Sequence, residues 1–221
     1  MSLDKYNSFL LRDKDNAIFR GKKAMAQFKS LRWPTRLLDV GCGSGELLRI
    51  ASEQGIKKLY GIDGVEDALQ NCERINAETR KVDLNLSGIP FENEKFDGVT
   101  CLEVLEHLYA PQEIINEIFR VLQRGSWAII SVPNPYKYSI RLKILFGGTV
   151  SDPTTIGGHI KFFRSKDLRE ILTGSGFSQI RIEGVAYPTA YRKYGRFTNL
   201  FVTLMPNIFA TWLFVYCQKP Q

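Results

Sequence analysis

Leu37-Leu38-Asp39-Val40-Gly41-Cys42-Gly43-Ser44-Gly45-Glu46-Leu47-Leu48 passes from an apolar segment through an acid to three glycines at alternate positions, then into an amphipathic helix start. The pattern predicts a buried strand, a tight turn and a helix N-terminus, the place where open α/β sheets hold a nucleotide-like ligand. The glycines admit positive φ and remove the Cβ atoms that would keep a ligand from the backbone. A glycine cluster after a strand serves a ligand loop or a structural turn equally well, so the neighbouring segments have to decide.

Upstream, Ile18, Met25, Phe28 and Leu31 recur near helical spacing, predicting an amphipathic helix within 13–31 that stops at Trp33-Pro34. Downstream, helices over Gly45–Gln54 and Val65–Asn76 alternate with strands over Lys58–Ile62, Arg80–Leu84 and Phe96–Cys101. Pro111 then opens a helix whose buried side carries Ile114, Ile115, Ile118, Val121 and Leu122. Gly125 ends it, and Trp127–Val132 reads as a fifth, central strand. Alternating strands and helices predict a doubly wound, mostly parallel sheet with helices on both faces.

The connection from Pro133 to Arg164 is 32 residues long, the length at which connections become functional lids. It contains a basic, amphipathic run, Tyr136 to Phe146, ended by Gly147-Gly148. A helix over Ser165–Thr173 on a serine cap follows, then strands over Phe177–Val185 and Ile208–Gln218. The chain reads as a single domain over 1–221, with 134–164 and 186–207 as acceptor-side lid insertions.

At 221 residues the chain can bury a sizeable core. Its charge is uneven: residues 1–123 carry a net −2 and residues 124–221 a net +9, within the overall +7. A basic half attracts acidic small molecules, nucleic acid or an anionic membrane, or is simply solvated. Cys42, Cys72, Cys101 and Cys217 form no C-x-x-C pair, and the charged start of the chain is no export signal, which points to free thiols in the cytoplasm. Phe197 to Cys217 runs 21 residues without a formal charge, but Asn199, Pro206 and Asn207 argue against a spanning helix; contact with a membrane surface stays open.

Asp39, Asp63, Asp83 and Glu103 each fall at or near the C-terminal end of one of the first four strands, so one sheet edge would carry four carboxylates. The loop spacing is Gly41-x-Gly43-x-Gly45 rather than G-x-G-x-x-G, and an acid precedes it. Four acids suit a cationic adenosine ligand better than a phosphorylated one. With Gly61-Ile62-Asp63, Lys81-Val82-Asp83-Leu84 and Phe96-Asp97-Gly98-Val99 in this order, the sequence resembles the class I S-adenosylmethionine-dependent methyltransferases. Cys101-Leu102-Glu103-Val104-Leu105-Glu106-His107-Leu108, Ser131-Val132-Pro133-Asn134-Pro135 and Gly158-His159-Ile160-Lys161-Phe162-Phe163 are similar to the small-molecule UbiG and MetW-like branch.

The resemblance implies a seven-stranded sheet of order 3-2-1-4-5-7-6 with the last strand antiparallel, and S-adenosyl-L-methionine as cofactor. It implies that Gly41, Gly43 and Gly45 pass under the methionine and ribose. Asp39 would orient the ammonium, Asp63 accept the ribose hydroxyls, Asp83 accept from the adenine amino group and Leu84 pack on the ring. Glu103 would stand by the methyl-donor end. The chain's two histidines, His107 and His159, are the candidate catalytic residues; with no Cys or His partner at ligand spacing, no metal constellation is read.

Asn134-Pro135-Tyr136 follows the fifth strand, not the fourth, so the nucleic-acid reading of an N-P-P-Y-like string is rejected. The expected activity is direct, in-line transfer of the cofactor's methyl group to an oxygen or nitrogen of a small acidic, aromatic or lipid-like molecule. A non-catalytic cofactor-binding partner and an RNA methyltransferase are the alternative readings.

Overall fold

Leu37 to Val40 forms a strand because both of its faces are covered by helices. Leu38 and Val40 lie in one apolar layer with Ile114, Ile115, Ile118, Val121, Leu168 and Leu172, while Leu37 joins Ala24, Met25, Phe28, Leu47, Leu48 and Leu69 in the other. The period-two alternation of a strand therefore feeds two cores at once. The computed structural model describes residues 3–148, 158–186 and 200–221, with side chains from Lys14 onward.

Seven strands make one sheet in the order β3-β2-β1-β4-β5-β7-β6. These are β1 Arg36–Val40, β2 Lys58–Asp63, β3 Glu78–Lys81, β4 Phe96–Leu102, β5 Leu122–Pro133, β6 Ser178–Val185 and β7 Trp212–Gln218. The pairs among β1 to β5 are parallel, and β7 runs antiparallel to both β5 and β6. Among the described residues the bounded helices are α1 Leu3–Leu31, α2 Glu46–Glu53, α3 Glu66–Glu73, α4 Pro111–Val121, α5 Tyr138–Leu145, α6 Ser165–Gly174 and α7 Pro206–Phe209, with a 3-10 turn at Leu105–His107; residues 200–204 are helical too. The strand order and the reversed β7 agree with expectation.

Several local expectations are corrected. The first helix begins ten residues before the start read from its apolar spacing. The third strand is Glu78–Lys81, not Arg80–Leu84, because the Asp83 carbonyl turns to accept the Leu86 and Ser87 N–H groups. The fifth strand starts at Leu122 rather than Trp127: the preceding helix stops at Val121, so Gly125 does not end that helix but lies inside the strand at φ 72°, its N–H donating to the Lys219 carbonyl.

The last strand starts at Trp212, since Pro206 to Phe209 forms a helical turn. Ser165 does not cap α6. Asp167 accepts the Arg164 N–H at 2.8 Å, and the Ser165 hydroxyl donates to Asn207. In α5 no side chain is buried, so its apolar residues gather on no buried face. Among the described residues no helix is long and apolar enough to cross a membrane.

Candidate active site

The loop after β1 is shaped by what its glycines permit. Gly41, Gly43 and Gly45 have φ of 72°, 48° and 80°, and a Cβ on Gly41 would lie 2.3 Å from Val104 Cγ2. Gly41 and Cys42 both donate to the Ile62 carbonyl, which fastens the loop to the end of β2. Cys42 is a buried filler, its Sγ 3.8 Å from that of Cys72, and the bond with that thiol, together with burial, pushes its pKa well up.

Parallel register brings the ends of β1, β2 and β4 side by side, with Asp39 opposite Gly61 and Thr100. Asp39 is buried and accepts a 2.7 Å bond from the Thr100 hydroxyl. Burial raises its pKa to about 7 against the pull of that bond, and the charge of Asp63 adds to the rise. Asp63 takes one backbone N–H on each oxygen, Gly43 at 2.9 Å and Val65 at 3.0 Å. Asp83 accepts the Asn85 N–H at 2.9 Å and stands exposed beside half-buried Leu84.

Glu103 follows β4 in the left-handed region at φ 59°, a conformation that L residues seldom adopt. Its N–H donates to the Ser131 carbonyl and its Oε1 accepts the Ser131 hydroxyl, so both ends are tied to β5. The next turn carries Glu106 and His107. The Glu106 carbonyl accepts the N–H groups of Ile160 and Lys161, which moors the segment containing His159. As a result the two imidazoles lie 4.9 Å apart, edge to face.

Glu106 is 1% exposed and neither carboxylate oxygen has a hydrogen-bond partner. Burial, with the charge of Glu103 adding, drives its pKa well above the usual carboxylate range. Burial lowers His107 to about 4, helped by His159 and opposed by a hydrogen bond to the Gly158 backbone; burial also lowers His159. Sequence spacing gave neither histidine a ligand-like partner; the fold brings them together with Glu106. Donor atoms of Glu106, His107 and His159 all lie within 4.8 Å of one another.

One cavity of about 600 Å³ joins these parts. Asp39, Gly41, Gly43, Asp63, Asp83, Leu84, Glu103, His107 and His159 all line it; Gly45 stands just behind, at the head of α2. Sequence reading missed Lys14, Ala17 and Arg20 of α1, and Trp212 at the start of β7. Arg20 is buried with its guanidinium 5.4 Å from the Trp212 ring. The signal available was a basic residue on the otherwise apolar side of the first helix.

Lys137, whose pKa burial lowers, and Phe162 line the same space. Asn134 is a turn residue saturated by protein: it donates to the Pro206 and Ala210 carbonyls and accepts from Tyr136 N–H. Tyr187, Tyr191, Arg192, Lys193, Tyr194 and Arg196, expected on the acceptor side, lie outside the described residues.

A family model described as a methyltransferase domain matches residues 8–182. The chain is 28% identical over 166 residues to the ubiquinone biosynthesis O-methyltransferase of Burkholderia pseudomallei (strain 1710b), covering 71% of each protein. It is 29% identical over 176 residues to the protein of that name from Hydrogenovibrio crunogenus (strain DSM 25203 / XCL-2), covering 76% of this chain and 72% of the relative. A SAM-dependent methyltransferase from Archaeoglobus fulgidus superposes with a TM-score of 0.68 at 23% identity, over 96% of this chain and 99% of that one. With the family's sheet order and a methyltransferase-domain match over most of its length, the chain belongs to the methyltransferase-domain family, as a class I enzyme that uses S-adenosylmethionine.

Proposed function

We propose that this enzyme transfers the methyl group of S-adenosylmethionine to an oxygen of a small acidic, aromatic molecule. The observation that carries the reading is the continuity of the cavity. It runs from the glycine loop and strand-end acids to Glu103, His107, His159, Lys137, Phe162 and Trp212, so cofactor and acceptor would share one enclosure.

On this reading Gly41, Gly43 and Gly45 leave room for the cofactor, Asp39 orients its ammonium and Asp63 accepts its ribose hydroxyls. Asp83 accepts from the adenine amino group, Leu84 covers the ring, and Glu103 stands at the methyl-donor end. The acceptor oxygen attacks in line. The new O–C bond forms as the C–S bond breaks, and its electron pair passes to sulfur, which leaves as a neutral thioether. Alignment supplies most of the acceleration, because the sulfonium is already activated.

An acceptor hydroxyl must shed its proton for this step, and His107 and His159 are the groups placed to activate it. Arg20 and Lys137 supply positive charge for an acidic acceptor, and Phe162 and Trp212 supply aromatic faces. We read 134–164 and 186–207 as acceptor-side lid insertions of a single 1–221 domain; of these, 149–157 and 187–199 lie outside the described residues. The exposed Leu145 and Phe146 beside Lys143 fit contact with a membrane surface, and the four free cysteines fit a cytoplasmic setting.

Calorimetry with S-adenosylmethionine and S-adenosylhomocysteine, joined to a screen of acceptor pools with methyl-labelled cofactor, tests the reading. We expect binding by the wild type, loss of at least about tenfold in affinity in Asp63→Ala, and label carried into a phenolic or carboxylated acceptor. Unchanged cofactor affinity in Asp63→Ala, or label appearing only in RNA, would overturn it.

A further inference from the structure

Two thiols meet under the glycine loop. Cys42, on the loop, has its Sγ 3.8 Å from that of Cys72 on α3, and the Cys72 thiol also lies 3.7 Å from the Gly43 carbonyl, to which it donates. The sulfurs occupy room that two glycines leave. A Cβ on Gly61 would lie 2.8 Å from Cys42 Sγ, and one on Gly45 would lie 2.7 Å from Cys72 Sγ, closer than real Cβ atoms approach. The backbone of β2 and the head of α2 thus confine the pair. Cys42 is 7% exposed and lines the cavity, while Cys72 is wholly buried behind it. The other two cysteines, Cys101 and Cys217, are wholly buried in β4 and β7.

We propose that Cys42 and Cys72 form an oxidation site that governs the cofactor loop: a hydroperoxide entering the empty cavity joins the two sulfurs as a disulfide, and bound cofactor protects them. In the first step the Cys42 thiolate attacks the peroxide. An S–O bond forms as the O–O bond breaks, and the departing oxygen takes up a proton. The Cys72 thiol then attacks the sulfenic acid on Cys42; the S–S bond forms, the S–O bond breaks and water leaves. Two thiols give up two electrons and two protons, and the peroxide is reduced to water and water or an alcohol.

A disulfide needs sulfurs about 2.05 Å apart, so each moves by roughly 1 Å. The movement draws Cys42 toward α3 and removes the Cys72 donor from the Gly43 carbonyl. The Gly43 N–H bond to Asp63 and the Gly45 N–H bond to the Cys42 carbonyl, both 2.9 Å, join the same few residues, so the loop shifts with its anchors. The inference rests on the reading of this loop as part of the cofactor site. By linkage, what the disulfide takes from cofactor affinity, the cofactor takes from the tendency to form the disulfide. The bond with Cys72, together with burial, holds Cys42 well above the usual thiol range, so oxidation quickens as the pH rises and the thiolate fraction grows.

Hydrogen peroxide added to the reduced, full-length protein, with and without S-adenosylhomocysteine, tests the site by peptide mapping after free thiols are blocked. We expect a Cys42–Cys72 linkage, formed faster at pH 9 than at pH 7, with Cys101 and Cys217 still free. S-adenosylhomocysteine at about 100 times its Kd should slow the linkage at least about tenfold. Calorimetry should find cofactor affinity lower by at least about tenfold in the linked protein and restored by a phosphine reductant. Cys72→Ala should form no linkage and leave a sulfenic acid on Cys42 that dimedone traps.

Cys42 and Cys72 left unlinked under peroxide, Cys101 or Cys217 oxidised as fast as they are, or a linkage that leaves cofactor affinity unchanged would overturn the proposal. The cofactor reading is judged separately, on the reduced wild type. A protein that links the two cysteines yet never binds S-adenosylmethionine when reduced would overturn that reading and leave the reactivity of the thiol pair standing.

Discussion

Asp39 shows how one residue can be assigned from sequence while its chemistry needs the fold. Its place before the glycines puts it at the edge that the family resemblance implies for the cofactor. Only the structure shows that it is buried with a single side-chain bond from Thr100 and titrates at about 7 instead of 3.8. A folded pKa above the unfolded value means the native state holds the proton more tightly. The stability linked to this group is therefore fully present below pH 3.8 and is lost as the pH rises through 7. We predict that Asp39→Asn flattens this slope, making the cofactor-free protein more stable than wild type at pH 8 by an amount approaching roughly 4 kcal/mol. Urea denaturation at pH 5 and pH 8 measures it; an equal stability difference at both values would refute the burial argument. His107 and His159 mark the other limit. Sequence distance hid their pairing, because 52 residues and a backbone tether through Glu106 separate a spacing rule from a spatial fact.

Among the elements, those buried on two faces were legible and those at edges were not. β1, β4 and β5 are largely buried strands in the interior of the sheet, and they form where the pattern puts them, although β5 starts five residues early. β3 is an edge strand with one partner, so little burial pins its ends, and it lies two to three residues upstream of the expected span. The helix after Lys137 was readable as a helix-sized run but not as an exposed one. The end of β5 is held by Asn134, whose side chain bonds the Pro206 and Ala210 carbonyls and accepts the Tyr136 N–H. Those bonds fasten α7, and with it the start of β7, to the cavity wall that Pro135 and Lys137 form. We predict that Asn134→Ala costs about 2–4 kcal/mol, since it strands buried backbone groups rather than merely deleting a side chain. Acceptor KM should rise in the same variant while cofactor affinity stays within about twofold, because Asn134 touches the wall and not the glycine loop. Denaturation, calorimetry and steady-state kinetics together test this, and an equal loss of cofactor affinity would place the defect in the whole sheet instead.

Over the whole molecule, the two halves divide the labour by charge. The first half, net −2, supplies the strand-end acids that line the cavity; the second, net +9, supplies Lys137 to the same cavity. Arg20 crosses this division from α1 and adds its charge to the same wall. Such an arrangement matters most for encounter, because a focused positive field raises the local concentration of an anionic acceptor and salt collapses that gain. The Debye length shortens from about 10 Å at 0.1 M to about 3 Å at 1 M salt. We predict that kcat/KM for a carboxylated acceptor falls by roughly three- to tenfold from 0.05 to 0.5 M salt, whereas that for a neutral analogue changes by less than about twofold. Lys137→Met should remove part of the salt dependence for the anionic acceptor and leave the neutral one unaffected. A binding slope of many released counterions would instead mark a phosphate backbone as the true ligand. Equal salt responses for charged and neutral acceptors would show that the basic half is a solvated surface and that recognition rests on the aromatic wall of Phe162 and Trp212 alone.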